Sequence, residues 1–104
     1  MLHNKLGWFI TESTWPYKNS QKHFLIIPLR HKENLREITN KDMQAILYLA
    51  NWAIKKYRIK GGGLTMRFGN SDFTGATVSH LHAHLIYPKE TRAGRGKTVN
   101  FPIG

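Results

Sequence analysis

The stretch "VSHLHAHLIY", residues 78–87, sets His80, His82 and His84 at every second position among Val78, Leu81, Ala83, Leu85, Ile86 and Tyr87. Side chains of an extended chain alternate between two faces, so on a strand the three imidazoles share one face, roughly 6.5 to 7 Å apart along the chain. Leu81, Ala83 and Leu85 then point the other way and need an apolar partner. The stripe therefore predicts a strand with one side buried and the histidine side looking into a cleft. Three readings of that side stay open. A plain solvated face is one, though Thr, Lys or Glu would serve it better than three His. A metal site is the second, since His at i and i+2 can share a zinc with a ligand from elsewhere; no Asp or Glu lies in the strand to orient them. The third makes one imidazole a nucleophile toward phosphorus, because neutral imidazole attacks well at about pH 7 and its phosphoryl adduct is labile. Its neighbours would then hold the phosphate oxygens and carry protons.

Working outward, the approach "GNSDFTGATVS" supplies Gly69, Asn70, Gly75, Thr77 and Ser79, whose backbone N–H groups and polar side chains suit an anion. Such loops are also ordinary turns. Before it, Leu64 to Phe68 reads as a strand with Leu64, Met66 and Phe68 on one face and Thr65 and Arg67 on the other. A helix is predicted from an N-cap at Thr39 or Asn40, with Met43, Ile46, Leu47, Ala50, Ala53, Ile54 and Tyr57 forming its apolar face and Gly61, Gly62 and Gly63 ending it. "HFLIIP", residues 23–28, is apolar and too short for a helix, hence a buried strand closed by Pro28. Trp8 to Thr11 is a further short strand, followed by a loop from Glu12 to Lys22 in which Trp15 and Tyr17 either stack on a base or cover the core edge. Beyond Pro88, residues 89–97 read as a mobile basic loop, before a short strand at Thr98 to Phe101. His3 is placed in a frayed terminus and His31 in a surface turn. The order of strands and helix predicts one α+β domain over residues 1–104, an antiparallel sheet backed by a long helix.

Composition narrows the chemistry. The 104 residues contain no cysteine, which excludes disulfides, thiolate zinc clusters and cysteine nucleophiles. Sixteen Lys and Arg against six Asp and Glu give a formal charge of +10, a pull toward polyanions. Nucleic acid is thus a candidate partner of the basic surface, alongside nucleotides. No apolar run approaches the roughly 20 residues that span a bilayer, so no membrane role is expected and the chain reads as cytoplasmic.

The pattern His80-Leu-His82-Ala-His84-Leu-Ile resembles the signature of the histidine triad (HIT) family of nucleotide hydrolases and transferases. "HFLIIPLRH", residues 23–31, resembles the family's upstream strand, and the likeness runs from about Trp8 to Pro88. The resemblance implies a mainly antiparallel sheet of about five strands with one long helix, a homodimer, a purine nucleotide substrate, and no metal or other cofactor. His82 would attack the α-phosphate of a nucleoside phosphoramidate or dinucleoside polyphosphate, giving a nucleotidyl-histidine that water or another acceptor resolves. His84 would contact the phosphate or leaving-group side, His80 would support the arrangement, and His23 matches the upstream histidine near the pocket. Thr77 matches a hydroxyl that contacts the phosphate or leaving group, and Asn70 stands for the family's asparagine near the triad. Ala76 stands where many members carry Gln, and the ribose partner is left among Glu12, Ser13 and Asn19. The other readings are a nucleotide- or RNA-binding module with little catalysis, an enzyme that removes adenylate from nucleic-acid ends, and a phosphorylase.

Overall fold

Alternation along the two central strands dictates the architecture. The computed structural model describes residues 1–104, with strands β1 (His3–Lys5), β2 (Trp8–Glu12), β3 (Ser20–Pro28), β4 (Gly63–Met66) and β5 (Ala83–Pro88). They form one 5-stranded sheet in the order β1-β2-β3-β5-β4, every neighbouring pair antiparallel. A long helix, α1 (Asn40–Tyr57), covers one face, and a single turn of helix, α2 (Ser71–Thr74), sits in the connection between β4 and β5. This is the α+β fold expected from the sequence. Directly opposed residues share a face, so the pair Phe24 and Leu85 belongs to the helix side while Leu25 and His84 belong to the other. Trp8, Ile10, Phe24, Ile26, Ala83 and Leu85 meet Ile46, Leu49, Ala50 and Ala53 of α1 in one buried cluster, which Leu81 joins.

The entry to α1 is over-determined. Thr39 is the N-cap: its hydroxyl accepts from the Asp42 N–H at 3.1 Å, and the Asp42 carboxylate accepts from the Thr39 N–H at 2.8 Å. The other carboxylate oxygen of Asp42 accepts from the Trp8 indole at 2.9 Å, tying the helix start to β2.

Several expectations are corrected. His3 is not frayed: it pairs in β1 and stacks on Trp52 of α1 with centroids 4.9 Å apart. That hairpin turns through Leu6 and Gly7, both with positive φ (49° and 81°). This is the backbone of a type I′ turn, which a leucine does not advertise. The helix ends not at the glycines but at Arg58, which takes the left-handed conformation (φ 52°). Met43, Leu47 and Ile54 face solvent, and Ala45 and Leu49 take the core places. Small alanines let the helix approach the sheet. The strand near Leu64 ends at Met66, leaving Phe68 exposed, and Thr98 to Phe101 forms no strand. Residues 89–97 fold into a turn closed by a bridge between Glu90 and Gly96. Gly62 has a specific reason to be glycine: a Cβ there would collide with the Ile86 carbonyl as β4 comes alongside β5.

Candidate active site

The face of the sheet away from α1 carries His23, Leu25 and Ile27 of β3 and His84 of β5, and it floors a cavity of about 700 Å³. The histidine stripe reaches this cavity, but not as one strand. β5 begins only at Ala83, because the Leu81 N–H donates to the Lys32 carbonyl at 2.6 Å instead of to a neighbouring strand. His80 and His82 therefore lie in an irregular approach. All three triad rings still line the cavity, with the His82 and His84 centroids only 4.7 Å apart.

Each ring's tautomer follows from the partners its nitrogens face. His82 Nδ1 lies 2.9 Å from the His80 carbonyl and must donate to it, which leaves the Nε2 lone pair free. His80 Nε2 donates to the Pro28 carbonyl at 3.0 Å, and its Nδ1 accepts from His31 at 3.2 Å, so the surface turn residue His31 braces the triad. The third chain of bonds is buried. The Tyr17 N–H donates to His23 Nδ1 at 3.2 Å, so His23 carries its proton on Nε2 and donates to His84 Nδ1 at 2.8 Å. His84 then carries its proton on Nε2, as a donor on the cavity side.

Burial enforces these neutral forms. His23 and His84 are only 3% and 5% exposed. Desolvation, then the charges of His82 and Arg67, push His23 from the usual 6.5 down to about 4. Desolvation, then His82, His23 and Arg67, push His84 down to about 3. No group of three or more His, Asp or Glu side chains is arranged to hold a metal ion, since the triad nitrogens turn to carbonyls and to one another.

Among the expected phosphate contacts, Gly75 and Thr77 line the cavity beside Ala76. Gly75 takes φ 72°, and a Cβ there would meet the Gly104 carbonyl at 2.6 Å. Asn70 is not brought in: its side chain caps α2, accepting from the Asp72 N–H at 2.9 Å. Ser79 is exposed and lies outside the main cavity, beside a small cleft with Thr74 and Leu81. Of the three ribose candidates only Ser13 lines the cavity, while the Glu12 carboxylate pairs with Lys22 at 2.9 Å. Trp15 stands at the rim, 83% exposed.

Sequence reasoning did not single out Arg67 and Pro102, which line the cavity, or Phe101, which packs against Arg67. Arg67 donates from Nε to the Pro102 carbonyl and from Nη2 to the Tyr17 hydroxyl, each at 2.7 Å, and lies over the Phe101 ring at 4.2 Å. Phe101 in turn sits edge-on to His84 with centroids 5.0 Å apart. A signal for Arg67 existed. Thr65 pairs with His84, so the Thr65 and Arg67 face of that segment is the triad's face.

An antiparallel α+β domain that gathers four histidines in a nucleotide-sized cavity defines the class of histidine-triad proteins. The HIT domain family model matches residues 18–91, and the chain belongs to that family. It is 34% identical over 80 residues to an uncharacterized HIT-like protein of Mycoplasma genitalium, a match covering 75% of this chain and 57% of that one. The chain thus spans little more than half the length of that relative. A solved "Hit Like Protein" superposes with a TM-score of 0.69 at 22% identity, covering 85% of this chain and 84% of that one. Family membership brings with it a fold of the nucleotide-binding and hydrolase type. No helix of the chain is long and apolar enough to cross a membrane.

Proposed function

We propose that the protein is a nucleotide hydrolase or nucleotidyltransferase that cleaves at the α-phosphate of a nucleoside phosphoramidate or dinucleoside polyphosphate. The observation that carries this reading is the free Nε2 of His82, held by the bond from its Nδ1 to the His80 carbonyl. The lone pair on Nε2 attacks phosphorus, and the bond to the leaving group breaks with its electron pair going to that group. The positive imidazolium so formed is stabilised by the carbonyl at Nδ1. Water then attacks the same phosphorus, the bond to Nε2 breaks and returns its pair to the ring, and the water proton passes to solvent. The Nε2–H of His84 holds a phosphate oxygen or the leaving atom, with Thr77 lining the same cavity. Trp15 offers an exposed indole on which a purine stacks.

Incubation with an adenosine phosphoramidate and with a dinucleoside polyphosphate tests this, with His82→Asn as the comparison. Wild type should turn over at least one of them about a thousandfold or more faster than the variant, as loss of a nucleophile implies. An acid-labile adenylyl adduct should form on wild type only. Equal rates for the two proteins would remove the enzyme reading and leave the binding module, to which Ala76, with no donor where Gln would reach phosphates, lends support.

A homodimer is part of the same proposal. β4 is an edge strand with Leu64 and the nearby Phe68 exposed, and α1 exposes Met43, Leu47 and Ile54. Sedimentation at micromolar concentration should give twice the mass of one chain; a monomer would refute it.

A further inference from the structure

A cation without a counter-ion lines the cavity. None of the cavity-lining residues is Asp or Glu, and Arg67 forms no salt bridge. Its Nε and Nη2 are committed to Pro102 and Tyr17, and the Phe101 ring fixes the plane of the guanidinium. Its Nη1 lies 3.5 Å from His84 Nε2. Because His84 already accepts at Nδ1 from His23, that Nε2 carries a hydrogen, and Arg67 has only donors. Two donor groups therefore lie side by side with no acceptor between them. The group they lack is an oxygen anion, which a guanidinium binds better than any other side chain.

We propose that Arg67 is the specificity-determining residue of the leaving-group end: it binds the departing phosphate, so the chain prefers substrates that lose a phosphate or polyphosphate anion over those that lose an amine. This rests on α-phosphate attack by His82. Breaking a P–N bond to an amine puts the electron pair on nitrogen, and the amine needs a proton to depart. A cationic His84 could give one, but it would stand against a guanidinium of the same charge. Breaking a P–O bond puts the pair on a phosphate oxygen, which leaves as an anion and needs only positive charge and hydrogen bonds. Arg67 and the neutral His84 supply both, and Arg67 lines the same cavity as Ala76, which offers no donor.

Two readouts test the assignment in wild type, Arg67→Gln and Arg67→Lys. The first is equilibrium binding of ADP and AMP, whose difference is one phosphate at the leaving-group position. Wild type should bind ADP about tenfold or more tighter than AMP, Arg67→Gln should bring the two within about twofold, and Arg67→Lys should fall between. The second is kcat/KM for a dinucleoside polyphosphate and for an adenosine phosphoramidate. Arg67→Gln should lower the first by about a hundredfold and the second by less than about threefold. A purely structural role would lower both alike and leave the ADP to AMP ratio unchanged in both variants, and that result would overturn the proposal. If wild type turned over neither substrate, the reaction reading would fail, while the ADP to AMP ratio would still decide the role of Arg67.

Discussion

What separates one histidine of this site from the next is the partner of its second nitrogen. His82 donates to a carbonyl and keeps Nε2 free, whereas His84 accepts a hydrogen bond from His23 at Nδ1 and must present a donor at Nε2. Replacing His23 by Leu removes that donor and with it the preference for one tautomer of His84. We expect a loss of about tenfold in kcat/KM, carried mostly by kcat, with the fold retained by melting. The same pair sets a pH dependence of stability. Both rings bind protons more weakly folded than unfolded, so the unfolded state gains protons first as pH falls. Stability should be unaffected by them above 6.5, fall progressively toward about 3, and level off below. Thermal melts of wild type and His23→Leu across this window check the sign, and the variant should lose less on acidification. Spacing alone made the stripe visible but left both metal and nucleophile open, because it cannot say what each ring nitrogen faces. The resemblance ranked His82 first. Tyr17 acts on His23 through its backbone N–H, a role no side-chain type announces.

At the level of elements, the capping box of α1 also fastens the helix to the sheet. Thr39→Ala should cost about 1 kcal/mol, the usual worth of a cap. Asp42→Ala should cost more, about 2 to 3 kcal/mol, because it also leaves the Trp8 indole unpaired in the core. Urea unfolding with an unchanged slope measures both. Gly62→Ala should weaken the β4 and β5 pairing where the Ile86 carbonyl blocks a Cβ; raised hydrogen exchange at Gly63 to Met66 would register it. α1 was legible because its pattern is long, β3 because its run is apolar, and β2 because its short run is rich in β-forming residues. β1 was hidden by a leucine in its turn, and α2 by its brevity. The helix stripe was misjudged at its edges: it took in Leu47 and Ile54, which count heavily on a hydrophobic scale but face water, and passed over Leu49 and the small Ala45, which are buried against the sheet. The start of β5 could not be read, since Lys32, some fifty residues upstream, takes the bond that would have extended it.

For the whole molecule, residues 101–104, which lie beyond the family match at residues 18–91, close against a cavity built mostly within that match. Pro102 lines the site, Phe101 packs against Arg67 and His84, and the Gly104 N–H donates to the Thr74 carbonyl at 3.0 Å, yet none of these belongs to the buried core. Deleting residues 101–104 should therefore leave the melting temperature nearly unchanged and lower kcat/KM by about tenfold or more, chiefly through KM. Equal losses of stability and activity would show the tail to be structural instead.

β3 runs through the middle of the sheet with Phe24, Ile26 and Pro28 on the helix side and His23, Leu25 and Ile27 on the cavity side. A saturation mutagenesis of that strand should accordingly split into two interleaved phenotypes: abundance failing at one set of positions and substrate choice shifting at the other. Selection for a new nucleotide could then act on every second residue of a central strand without passing through an unfolded intermediate.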